Sequence, residues 1–219
     1  QQLFNSVDVA VVGRFASSEA LAAVGANTFL INLMINLFVG ISIGANAVVA
    51  NRIGQRDVEG IGRAVSTTIV LSVVSGLILL VVGMMISRPV LALMETPSDV
   101  IDDAVLYLRI YFLGAPFFLI YNFGASILRS KGDTRRPLYI LLVAGLINTV
   151  LNLFFVIVCH LSVAGVAIAT SISNVYSAAS VVSILCHESG ALRLRIGQLR
   201  LYRRECGAIL RIGIPAGLQ

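Results

Sequence analysis

The stretch Leu128-Arg129-Ser130-Lys131-Gly132-Asp133-Thr134-Arg135-Arg136-Pro137-Leu138 decides how this chain is arranged. Arg129, Lys131, Arg135 and Arg136 crowd a short turn between two apolar runs, residues 105–128 and 138–158. Each run reaches the roughly 20 residues that cross a bilayer core. A turn so charged stays in water, so it fixes the side of the membrane on which its neighbours lie. Working outward, residues 64–86 and 21–50 form two more spans on the N-terminal side, and residues 163–185 form one on the C-terminal side. A run at residues 1–14 is too short to cross and is expected to be the clipped end of a first span. A further run opens at Ala208 and is expected to begin a seventh.

Composition agrees. With 58% hydrophobic and 12% charged residues the chain lies far from a soluble globular domain, in which about a quarter of residues are charged. The expected fold is an all-α polytopic membrane protein, because an open sheet edge does not survive in lipid and barrel strands are about half this length. A formal charge of +5 would suggest nucleic acid in a soluble protein. Here the cations sit in the gaps between spans rather than on a folded basic face, so no nucleic-acid partner is expected. Cys159, Cys186 and Cys206 have no metal-type spacing. No Walker loop, nucleophile elbow or HExxH motif occurs, so neither an enzyme nor an organic cofactor is expected.

Counting basic residues in alternate loops gives the orientation. Residues 51–63, 129–137 and 187–207 hold most of the arginines, whereas the opposite side holds Arg14, Arg88 and Arg109. The positive-inside rule places the rich loops in the cytoplasm of a multi-pass protein of the plasma (inner) membrane. Residues 1–186 then form one transmembrane lobe, 187–207 an inter-lobe linker and 208–219 the start of a second lobe. In the linker, Arg193, Arg195 and Arg200 alternate with Leu192, Leu194 and Leu199, a pattern suited either to the anionic inner leaflet or to a plain connector.

Polar residues within the spans mark the candidate site. An ionised Asp at mid-membrane costs roughly 2.5–3.5 kcal/mol, so Asp8 is expected to face the bundle interior or water. At 1.5 Å per residue it lies about 9 Å below the outer end of its helix near Arg14. Asn152 in the fifth span and Thr170 in the sixth lie at a similar depth, with Asn148 and Asn174 one turn deeper on the same faces. Thr28, Asn32 and Asn36 repeat at i, i+4 steps in the second span and are candidates for a substrate cavity, with Tyr121 and Asn174. Interhelical hydrogen bonding is the alternative reading, and Gly40-x-x-x-Gly44 is a helix-packing pattern. Gly132, Asp133 and Thr134 read as turn and N-cap chemistry for the fifth span.

Leu3-Phe4-Asn5-Ser6-Val7-Asp8, Leu21-Ala22-Ala23-Val24-Gly25, the cationic turn, Asn148-x-x-x-Asn152, Gly165 to Thr170 and Ile212-Gly213-Ile214-Pro215 together resemble the multidrug and toxic compound extrusion (MATE) transporters. The resemblance implies the N-terminal lobe of a twelve-helix, two-lobed inverted-V protein in the lipid bilayer. It also implies a small-molecule substrate, a C-terminal lobe of the same protein as partner, and export of organic cations or drugs coupled to protons or sodium. The ion-coupling residues it implies are Asp8, Asn148 and Thr170, with Asn122 and Tyr107 in the fourth span. Asn152 stands where the family usually has Asp; being untitratable, it leaves Asp8 as proton acceptor or as the charged ligand of sodium with Asn148, Asn152 and Thr170. Two other readings stay open: a lipid-linked oligosaccharide flippase or polysaccharide exporter of related fold, and a membrane scaffold without transport.

Overall fold

The computed structural model describes residues 18–93, 98 and 100–218, with side chains for Ile31, Asn32 and residues 35 onward within that range. Asp8, the whole first apolar run and the side chain of Thr28 lie outside the described residues. Six α-helices follow in order: α1 (Ser18–Gly54), α2 (Val58–Leu93), α3 (Ile101–Ser130), α4 (Arg135–Leu153), α5 (Ser162–Cys186) and α6 (Arg203–Gly217). Five of them are long and apolar enough to cross a membrane. At 36 residues α2 is about 54 Å long, far more than a hydrocarbon core of about 30 Å, so its ends stand in the interfacial regions.

The helices extend past the apolar runs, and at two starts a side-chain cap sets where the helix begins. Only Gln55, Arg56 and Asp57 separate α1 from α2, although residues 51–63 read as a loop. Arg56 takes a left-handed φ of 55°, and Asp57 Oδ1 accepts the Gly60 N–H at 2.9 Å, an N-cap that starts α2 early. Between α3 and α4 the turn narrows to Lys131–Thr134, where Gly132 supplies φ +87°. Asp133, and not Thr134, performs the capping: its Oδ1 accepts the Arg136 N–H at 3.2 Å. The connector after α5 holds two short 3-10 turns, Gly190–Leu192 and Ile196–Gln198, and α6 begins at Arg203, five residues ahead of the apolar run.

The central helix is α3, which packs against α1, α2 and α5 and buries Leu108, Phe112, Leu119 and Phe123. Glycines let its neighbours come close. A Cβ on Gly76 of α2 would lie 2.5 Å from Pro116 Cα, and one on Gly83 would strike the Phe112 ring. The order of these contacts makes α2 and α3 antiparallel. Against α5 the contacts run in parallel, Gly114 on Ser171 and Gly124 on Val181. The strict in-out alternation of the spans requires both relations. The ends are correspondingly sorted: Arg52 pairs with Glu205, Lys131 and Arg136 with Glu188, and Ser66 with Arg200 at the basic end, while Arg88 meets Asp102 at the other.

Candidate functional site

α4 and α5 build a buried polar seam. On α4 the spacing of four residues puts Asn148 and Asn152 on one face, both fully buried. The opposite face shows Leu142, Val143, Leu146 and Val150 outward, as suits lipid. From α5, Thr170 (6% exposed) meets the seam. Asn148 Nδ2 donates to Thr170 Oγ1 at 3.1 Å, and Asn152 Nδ2 donates to Asn148 Oδ1 at 3.3 Å. Asn152 and Thr170 are engaged further within the chain. The structure places side by side three of the residues that the resemblance implies for ion coupling.

Directly after Asn152 the helix widens into a π turn, Phe154–Val158, with Cys159 N–H donating to Phe154 O at 3.2 Å. Phe155 then seats against Gly165 of α5, where a Cβ would lie 2.8 Å from its own Cβ. The run Phe154-Phe155-Val156-Ile157-Val158 reads as ordinary apolar helix, so the sequence carries no signal for this turn; such turns concentrate at functional sites.

The other candidates fall elsewhere. Asn174, one turn past Thr170, is 8% exposed on the buried side of α5. Asn122 is half-buried and its Nδ2 donates to its own helix at Phe118 O, 2.8 Å away. Tyr107 is buried and stacks on Tyr111 with ring centroids 6.2 Å apart. Tyr121, expected in a cavity, instead donates its hydroxyl to Pro137 O at 2.9 Å and ties α3 to the first turn of α4, about 16 Å along that helix from Asn148. Its phenol finds a backbone carbonyl on the neighbouring helix, a partner that a one-dimensional reading cannot supply. Asn32 and Asn36 are exposed on α1 beside the buried Ile31 and Ile35. The described residues hold no group of three or more His, Cys, Asp or Glu that would bind a metal.

The chain and its helical fold are matched by known proteins. The family model MatE covers residues 1–154. This chain belongs to the MatE family. Among its relatives is the probable multidrug resistance protein YpnP of Bacillus subtilis (strain 168), 27% identical over the whole chain and 49% of the relative. Two solved structures of multidrug resistance MATE family transporters match the MatE chain with TM-scores of 0.91. One is inward-facing, 25% identical over all of this chain and 50% of that one; the other is outward-facing, 27% identical over all of this chain and 48% of that one. The chain therefore spans about half the length of the curated relatives it matches. As a MatE member it belongs to a family of multi-pass membrane transporters.

Two ion-pair groups at the basic end escaped the sequence reading. Glu205, in the first turn of α6, is 3% exposed and receives Arg52 at 3.2 Å, while Glu188 collects both Lys131 (2.8 Å) and Arg136 (3.0 Å). Burial pushes the Glu188 carboxyl up, but hydrogen bonds and charge from Lys131 and Arg136 outweigh it and hold it below the ordinary range. Asp133 is held low in the same way, burial being overcome by Arg136 and Lys131. A single acid among five or six arginines gives no sequence signal for which of them it meets.

Proposed function

We propose that this chain is the N-terminal lobe of a cation-coupled antiporter that exports organic cations, drugs or other amphipathic small molecules across the plasma membrane by alternating access. The observation that carries the reading is the buried Asn148–Asn152–Thr170 seam. Two amides and a hydroxyl held dry within the membrane are expensive unless they are paired, and they present oxygens of the kind a hard cation prefers. With Asp8 they would hold sodium; alternatively Asp8 takes a proton and the seam supplies its hydrogen-bond partners. Asn148 and Asn152 cannot titrate, so among these residues a charge change falls on Asp8.

The lobe's equal likeness to inward- and outward-facing transporters supports a body that moves as a unit while the site opens to either side. An ion that binds one arrangement better than the other biases the equilibrium by that difference alone. Asn32 and Asn36, exposed on α1, supply hydrogen-bonding groups for a substrate held between this lobe and a second one.

The test is drug efflux by the full-length protein in a host lacking its own pumps, compared with Asp8→Asn. The variant should insert normally and lose proton- or sodium-driven export. Undiminished efflux by Asp8→Asn would remove Asp8 and the seam from coupling.

A further inference from the structure

A cavity of about 550 Å³ opens at the basic end of the molecule, between the first two turns of α2 and the connector after α5. Its walls include Arg63 and Ser66 from α2, and Arg193, Leu194, Arg195 and Tyr202 from the connector. We propose that it binds the phosphate headgroup of an anionic phospholipid of the inner leaflet.

The wall formed by the connector is fixed, not a loose loop. Leu194 is buried, and its N–H donates to Leu185 O at 2.9 Å. Farther on, Ser66 Oγ donates to Arg200 O at 2.9 Å and accepts the Arg200 N–H at 2.7 Å, and Thr67 Oγ1 accepts the Tyr202 N–H at 3.2 Å. Leu194 anchors the segment, and the exposed Arg193 and Arg195 on either side of it line the cavity with it, which brings two cations there. Arg193 Nε donates to Cys186 O at 3.2 Å, which orients the guanidinium and leaves its terminal amines for another acceptor. Arg63 is already paired with Glu59, and its guanidinium lies 5.8 Å from the centre of the Tyr202 ring. The lining therefore carries a net excess of two cations.

Position and lining favour a lipid over a free anion. The cavity lies where the apolar run of α2 begins, at the level of the membrane–water boundary on the basic side, where anionic lipids concentrate. Its lining adds Val58, Val65 and Leu199 to the arginines. A phosphodiester with attached chains satisfies both sets, whereas inorganic phosphate satisfies one. This reading is independent of what the protein transports.

The experiment uses the full-length protein in neutral detergent, with phosphatidylglycerol, phosphatidylcholine or inorganic phosphate added and retained lipid counted by native mass spectrometry. Phosphatidylglycerol should be retained in preference to phosphatidylcholine. Arg193→Gln with Arg195→Gln should weaken that retention by about 25-fold, at about fivefold per cation near an anionic headgroup. Arg203→Gln with Arg204→Gln, which removes the same charge outside the cavity, should change it far less. Gly62→Leu fills the cavity while keeping every charge, since a Cβ there meets only Ala191 O at 3.9 Å; it should also release the lipid. Equal losses from both arginine pairs, full retention by Gly62→Leu, or binding of phosphate without discrimination between the lipids would each overturn the proposal.

Discussion

At the crossing of α1 and α6 backbone meets backbone, and one methyl group tests it. A Cβ on Gly40 would stand 2.2 Å from Gly217 Cα, 2.3 Å from Gly217 N and 2.8 Å from Gly213 O. On Gly44 it would lie 2.3 Å from Ile209 O, and on Gly213 2.5 Å from Ile41 Cα. These partners are backbone, so no rotamer change relieves the clash. Carbon atoms in contact sit about 3.5–4.0 Å apart, so Gly40→Ala forces the two helices apart by about 1.5 Å or bends one of them. Overpacking of this kind costs about 1–3 kcal/mol, and separation also loses the dispersion contacts that hold helices together where lipid is as apolar as the interface. Gly207→Ala on the same α6 is the control, because nothing lies within 4 Å of its Cβ and a helical Gly→Ala gains about 0.5–1 kcal/mol. Thermal unfolding of the full-length protein should therefore fall for Gly40→Ala and rise or hold for Gly207→Ala. Gly217→Ala added to Gly40→Ala should cost less than it does alone, since the same gap admits both methyls. A Gly40→Ala protein with unchanged stability, or strict additivity of the pair, would refute a backbone-to-backbone crossing.

The remaining predictions concern polar contacts. Arg52→Ala leaves Glu205 buried without its partner and should destabilise more than Glu205→Gln; the loss should stay below the roughly 3–5 kcal/mol of a fully buried pair, because Arg52 retains 22% exposure, and chemical denaturation of the two variants checks the order. Asn148→Ala removes the donor to Thr170 and the acceptor for Asn152 and should cost about 1–3 kcal/mol, read as a lowered thermal midpoint; an unchanged midpoint would mean the seam is wet. Glu188 and Asp133 are both held below their ordinary values, so their folded forms favour the charged state. Their stabilisation is present above the ordinary carboxylate range of about pH 4 and is lost as pH falls through the depressed values. Wild type should thus exceed Glu188→Gln in thermal midpoint near neutrality, with the gap closing on acidification; a gap constant from neutral to strongly acidic pH contradicts the ion-pair account.

Apolar run length and loop charge made the fold readable. They located five spans to within a few residues of their polar extensions, because a bilayer leaves a helix few alternatives. The extensions themselves were hidden. Whether residues 58–63 continue α2 depends on Asp57 capping Gly60, and whether the cationic turn closes at Asp133 or Thr134 depends on which side chain reaches the Arg136 N–H. Both are matters of a few tenths of an ångström. For the site, i, i+4 spacing made Asn148 and Asn152 legible as one face, and depth placed Thr170 at the same level. Tyr121 misled because a phenol beside an amide looks like a cavity wall, whereas the carbonyl it reaches, at Pro137, belongs to another helix. The Gly40–Gly44 pattern was legible as packing but not as packing on α6, since a lone GxxxG does not name its partner.

Exposure on this lobe carries two different meanings, and chemistry separates them. The outward face of α4 shows Leu142, Val143, Leu146 and Val150, side chains that lipid accepts without cost. The exposed face of α1 shows Asn32 and Asn36, whose amides would each give up hydrogen bonds to water if lipid covered them. Both sit on the helix that α6 crosses: Asn36 O lies 3.1 Å from the place of a Cβ on Gly217. The polar strip of α1 therefore borders the crossing itself. A helix that keeps amides exposed beside a backbone-tight contact fits a wall shared between water and a second lobe, with the lipid-facing surface on the far side of α4. On that reasoning, Asn32→Leu should leave thermal stability in lipid within about 0.5 kcal/mol of wild type, as for an exposed site. It should lower drug export instead. A rise in stability of 1–2 kcal/mol with export intact would place Asn32 against the acyl chains, and would reverse the assignment of faces.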